Sequence, residues 1–208
     1  MNHFSSPTDF AGPATHLTPA DIASAAHAID VPPAALYAVI KVESSGSGFD
    51  AASRPRILFE PHIFHRQLRP YPEIQARATA AGLAYPKWGT LPYPRGSDAQ
   101  YERLLAAIAI EEDQALMSAS WGMGQILGLN YRAAGHNSVF SMVLAAISGE
   151  AAQLAQMTSF ITHNGLDDEL RALNWAGFAR GYNGPAYAAN AYDTKLAAAH
   201  TVAQETFA

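Results

Sequence analysis

Glu43 is the residue whose type and setting most clearly offer chemistry. It closes the apolar run Leu36-Tyr37-Ala38-Val39-Ile40-Lys41-Val42-Glu43 and is followed by Ser44-Ser45-Gly46-Ser47-Gly48. Leu36, Ile40 and Glu43 recur at i, i+4 and i+7, so a helix would put the carboxyl on a face shared with core residues. Val39 widens that stripe. Partial burial and a place near the negative end of the helix macrodipole both favour the protonated carboxyl. An acid that keeps its proton near neutral pH is the donor a glycosidic bond needs. The plainer alternative is a glutamate on an exposed last turn, folded back toward solvent. Two further carboxylates follow, Asp50 in the next loop and Glu60 directly after Ile57-Leu58-Phe59.

The elements that must position these groups read as mostly α. Thr18-Pro19-Ala20-Asp21 is a capping box with proline at the first helical position, opening a helix to about Ile29. Asp30-Val31-Pro32-Pro33 breaks it and starts the helix that carries Glu43. Ser44 to Arg56 reads as a loop, Ile57 to Phe59 as extended, His62 to Leu68 and Tyr71 to Ala81 as helices. Gly82 to Gly96 is an aromatic loop holding Tyr85, Trp88 and Tyr93, either the edge of a groove or a satellite core. Ser97-Asp98-Ala99-Gln100 is expected to cap one long helix to about Leu116. Ser138 to about His163 is strongly apolar and reads as one central helix, with two or three shorter helices after Leu166. Strand signals are scarce.

The composition narrows the classes. The chain has 208 residues, 49% hydrophobic and 15% charged, which suits one compact domain or one domain with a small appendage. We divide it into a short polar leader, 1–17, and a catalytic domain, 18–208. A net charge of −5 and a pI of about 5.9, with no dense basic run, argue against a nucleic-acid partner. That acidity gives no long-range attraction to an anionic wall, so an anionic substrate must be held by local groups. Cysteine is absent, which excludes disulfides and thiolate metal sites. The N-terminus lacks a signal-peptide pattern, and no run nears the roughly 18 apolar residues of a membrane span. The expectation is a monomer made in a cytoplasm, without membrane insertion.

Four segments stand out in order: Val42-Glu43-Ser44, Ile57-Leu58-Phe59-Glu60, Ser120-Trp121-Gly122-Met123-Gly124-Gln125-Ile126-Leu127-Gly128-Leu129-Asn130, and Arg180-Gly181-Tyr182-Asn183-Gly184-Pro185. Together they resemble the N-acetylmuramidase family of phage endolysins and secreted bacterial effectors. The wider pattern of Glu-Ser, Gly-x-x-Gln and Tyr-Asn-Gly is similar to goose-type lysozymes and soluble lytic transglycosylases. The stretch Ala191-Tyr192-Asp193-Thr194-Lys195-Leu196 looks like that family's C-terminal helix. The resemblance spans about Thr18 to Ala199 and implies a lysozyme-like fold with a substrate groove and no cofactor.

It also implies roles. Glu43 would protonate the leaving oxygen of the β-1,4 bond between N-acetylmuramic acid and N-acetylglucosamine. Glu60 would activate water or stabilise charge at the anomeric carbon, unless it merely pairs with Arg56 or Arg66. Asp50 is the fallback. Ser44, Ser120, Trp121, Gln125, Asn130, Tyr182 and Asn183 would line the groove on a peptidoglycan glycan strand, with Gly122 and Gly124 allowing close backbone approach. Trp121 has the plain alternative of a core aromatic, and Asn183-Gly184-Pro185 that of a turn. His62 and His65 have workable metal spacing but no evident third ligand, so no metal is expected. Glu111-Glu112-Asp113 reads as a solvated helix face.

Rival readings are a lytic transglycosylase, in which Glu43 alone is acid and then base, and a non-catalytic wall-binding module. Membrane disruption by the alanine-rich C-terminal helix is disfavoured by its few large apolar residues. A hydrolase without a signal would reach the periplasm or wall by holin release from a lysing cell or by injection through a type VI secretion apparatus. In the second case an immunity protein is the expected partner.

Overall fold

The computed structural model describes residues 2–44 and 47–207. Ser45 and Gly46, in the small-residue run behind Glu43, lie outside the described residues. The architecture is mostly helical with one small sheet. Helix α1 (Pro19–Ala28) starts at the Thr18 capping box. Helix α2 (Pro33–Glu43) enters through Pro32 and Pro33 and sinks Ala35, Leu36, Ala38 and Val39 fully into the core. Burying Leu36 alone contributes about 2 kcal/mol. The helix stops where the Ser44 amide donates to Ile40 O.

Strand β1 (Ile57–Phe59) leads into α3 (Pro61–Gln67) and α4 (Pro72–Ala80). The expected long helix from Ser97 is two, α5 (Ser97–Ile108) and α6 (Glu112–Met117). The break lets the Glu112 carboxylate accept the His3 and Phe4 amides. The acidic run at 111–113 therefore opens α6 and ties down the N-terminal segment, where it was expected to be a solvated face. Phe4 and Phe10 of that segment are buried in the main core.

Strands β2 (Ala119–Trp121) and β3 (Ile126–Leu127) form a hairpin, and the sheet runs β1-β2-β3, antiparallel throughout. Ile57 faces Trp121, and Trp121 faces Ile126. The expected central helix is also two, α7 (Val139–Ser148) and α8 (Glu150–His163). Gly149 separates them at φ +149°, a conformation that L side chains rarely adopt. Three helices follow, α9 (Asp167–Arg171), α10 (Trp175–Asn183) and α11 (Tyr192–Thr206). Helix α11 is not short: its 15 residues pack along α2, with Tyr192 and Lys195 near Glu43 at its start, and Phe207, just past its end, against Tyr37.

Candidate active site

Glu43 is half-buried at the last turn of α2 and lines a cavity of about 270 Å³ with Ser44, Arg56, Ile57, Gly122 and Gln125. It is the one carboxylate among the described residues lining that cavity. Its Oε1 accepts a 2.9 Å hydrogen bond from Asn183 Nδ2, across 140 residues of chain. Burial pushes the Glu43 pKa up, and the Asn183 donor and the Lys195 charge oppose that rise without cancelling it. The group is thus biased toward its protonated form. Asn183 Oδ1 is buried and has no hydrogen-bond partner. An amide offers a donor and an acceptor, so a half-turn of this one would let Oδ1 accept from the protonated acid.

Tyr182 supports the same corner. Its ring stacks on Phe178 at 5.3 Å and meets Phe160 edge-on, and its hydroxyl donates to Gly124 O at 2.9 Å. Burial and the nearby Glu43 charge hold that phenol well above its usual pKa, so it is a neutral donor. Tyr182 therefore bolts α10 to the hairpin loop, and Asn183 is the residue that meets the acid. Gly184 follows at φ +86°, so the expected turn and the contact with Glu43 occur together.

The glycine-punctuated segment is a scaffold more than a ligand surface. Trp121 is 1% exposed, donates from Nε1 to Leu116 O and stacks near Phe10, so it offers no ring face to a sugar. The core alternative is the right one. Gln125 adopts φ +46°, and its Nε2 donates to Arg56 O and Gly122 O while Oε1 accepts from the Ser120 hydroxyl. Both amide hydrogens are spent inside the protein. Gln125 thus clamps β1 to the hairpin at the cavity wall, and Ser120 is a buried part of that clamp. Gly122 is at φ +66°, and a Cβ there would strike the Gln153 side chain, so close approach by the protein's own residue explains it. Asn130 ends a 3₁₀ turn, its carbonyl accepting the Ala134 amide, and does not line the Glu43 cavity. Ser44 does line it.

Glu60 caps α3 at the far end of β1. The three residues of β1 separate it from Arg56, four residue steps or roughly 13 Å along the strand. It accepts a hydrogen bond from the Tyr93 hydroxyl and lies 3.3 Å from His62 Nδ1. Neither Arg56 nor Arg66 forms an ion pair with it among the described residues. Asp50, the fallback, is occupied: it accepts from the Ala52 and Arg54 amides, the Arg54 guanidinium and the Ser97 hydroxyl. These bonds hold its pKa low despite burial. Ser97 is therefore bound to Asp50, and α5 is capped by Gly96. No group of three or more metal-ligating side chains occurs among the described residues.

Two residues near Glu43 are legible in the sequence only as part of the C-terminal helix, with no role assigned. Lys195 acts on the ionisation of Glu43, and Tyr192, whose ring lies 5.5 Å from Lys195 Nζ, feels the Glu43 charge. Their spacing on α11 marks them as neighbours, but only the packing of α11 on α2 shows what they face. Glu150, also unremarked, is 5% exposed and accepts from the Leu17 and Gly48 amides and the Ser47 hydroxyl, with His16 at 3.3 Å.

Comparison with known proteins adds two findings. The family model for N-acetylmuramidase matches residues 32–204. The crystal structure of the Burkholderia AP3 phage endolysin superposes with a TM-score of 0.83 at 41% identity, over 94% of this chain and 73% of that one. No curated protein matches.

Proposed function

This chain belongs to the N-acetylmuramidase family and is a glycoside hydrolase that acts on peptidoglycan, and from that premise we propose that Glu43 cleaves the β-1,4 bond between N-acetylmuramic acid and N-acetylglucosamine as its general acid. The observation that carries this reading is the place of Glu43, half-buried at the end of α2 against Asn183 and lining a cavity with no other carboxylate among the described residues, where burial favours the protonated acid. The protonated carboxyl gives its proton to the glycosidic oxygen as the C1–O bond breaks, leaving positive charge at the anomeric carbon. Asn183 then stabilises the carboxylate that remains, since its Nδ2 donor pairs with the charged form. Ser44 lines the cavity wall, and Gln125 and Ser120 keep the wall rigid. In the hydrolytic reading Glu60 is the assisting carboxylate, held ready by Tyr93.

The isolation of Glu43 also favours a second reading, lytic transglycosylation. There the glutamate takes back a proton from the muramic 6-hydroxyl, which replaces water and leaves a 1,6-anhydro end. Mass spectrometry of fragments released from purified peptidoglycan, with and without borohydride, separates the two. Reducible muramic ends are expected. Fragments one water lighter that resist reduction would establish the transglycosylase. Glu60→Gln sharpens the same point, because full activity in that variant rules out a two-carboxylate mechanism. Binding without cleavage by the wild type would leave only a wall-binding module. The likeness to a phage endolysin favours action on the wall after release from a lysing cell. An immunity protein belongs to the alternative in which the enzyme is an injected effector.

A further inference from the structure

We infer that Arg56 is a specificity residue of the groove, which recognises a carboxylate carried by the muramic acid side of the strand. This deepens the peptidoglycan reading and rests on it. Arg56 is exposed and lines two adjoining cavities, the one holding Glu43 and one of about 240 Å³ bounded by Pro94, Gly96, Ser97 and Gln100. Its backbone is fixed on both sides: the amide donates to Gly48 O, and the carbonyl accepts from the Gly122 amide and Gln125 Nε2. Its guanidinium has no ion pair or hydrogen bond among the described residues. The contrast with Arg54, two positions earlier, is direct. Arg54 is buried, paired with Asp50 and Asp98 and laid over the Tyr101 ring.

A rigidly mounted, unpaired guanidinium in a groove presents a planar fork suited to a carboxylate. The chain carries −5 overall, so attraction for an anionic strand has to be local. Among cations it is Lys195 that acts on Glu43, which leaves Arg56 available to substrate. The carboxylate has two sources, the stem peptide or a lactyl group freed of its peptide. A neutral chitin-type strand has neither.

The test compares wild type, Arg56→Gln and Arg56→Lys on one peptidoglycan preparation in three forms: intact, carboxyl-blocked as amides, and stripped of stem peptides by an amidase. On intact wall, Arg56→Gln should raise KM about five- to tenfold with kcat within about twofold. Arg56→Lys should fall between. Blocking the carboxyls should raise the wild-type KM by a similar factor and leave Arg56→Gln unchanged. An effect that grows on stripped strands assigns the lactyl carboxylate, which the intact wall holds as an amide, and an effect that disappears there assigns the stem peptide. Co-sedimentation of Glu43→Gln, with and without Arg56→Gln, reads the same cycle without turnover. An equal loss on intact and blocked wall, or no loss on intact, blocked and stripped strands alike, overturns the inference. Cleavage by Glu43→Gln would instead overturn the catalytic reading, so the two failures are distinct.

Discussion

Glu43 and Glu150 flank the same loop, yet the fold drives them in opposite directions. Glu43 ends α2, where the helix dipole disfavours negative charge, and it has one side-chain donor. Glu150 begins α8, where the dipole favours charge, and the Leu17 and Gly48 amides and the Ser47 hydroxyl converge on it. Burial raises the pKa of the first, while donors outweigh burial and lower that of the second. The lesson is that proton donors and structural anchors are made from one residue type by the number of donors and the end of the helix. Glu150 grips Ser47 and Gly48, and the Gly48 carbonyl in turn accepts the amide of Arg56 at the cavity wall, so the anchor reaches the site through that bond.

This comparison can be broken in stages. Glu43→Gln should abolish turnover, by at least about a thousandfold, while leaving wall binding intact; release assays and co-sedimentation read the two separately. Glu150→Gln should lower stability by about 2–3 kcal/mol at neutral pH, because a charged acceptor of buried donors is lost; denaturant unfolding measures it. Since its pKa is depressed, the Glu150 contribution is present above the ordinary glutamate value and is lost as pH falls through the folded one. The sign reverses for Glu43, whose raised pKa makes the folded state bind protons more tightly. Its charge costs stability as pH rises above 4.5 and through the folded pKa. Glu43→Gln should therefore match or exceed the wild-type melting temperature at pH 7. A clear loss there would mean that the carboxylate is structural. The smallest effect is kinetic. Lys195→Met removes a charge that lowers the Glu43 pKa, so the alkaline limb of the rate profile should move to higher pH.

Much of the frame was legible in the sequence because it is written in local rules. The Thr18 box, the Pro32-Pro33 entry and the stripe through Leu36 and Ile40 depend on nearest neighbours, and each appears where expected. Breaks at Ala109–Glu111 and Gly149 were missed because apolar spacing continues across them, while their causes are distant partners at His3, Phe4 and Thr15. The site divides the same way. Glu43 and Asn183 were legible as residues, but their mutual contact spans the chain. Trp121, Ser120 and Gln125 look like ligand groups by type and become scaffold by context, since β2 is buried between β1 and β3 and the Gln125 amide is bonded to Arg56 O and Gly122 O. Lys195 and Tyr192 carried no signal beyond their place in a recognised helix.

The most direct measurement is a carbon-detected NMR titration of glutamate side-chain carboxyls, assigned through Glu43→Gln and Glu150→Gln. Glu43 should titrate above 4.5 and Glu150 below it, with the Glu43 midpoint matching the alkaline limb of the activity profile. A Glu43 midpoint at or below 4.5 would contradict the account, because burial would then not favour the protonated acid that the proposed proton transfer needs.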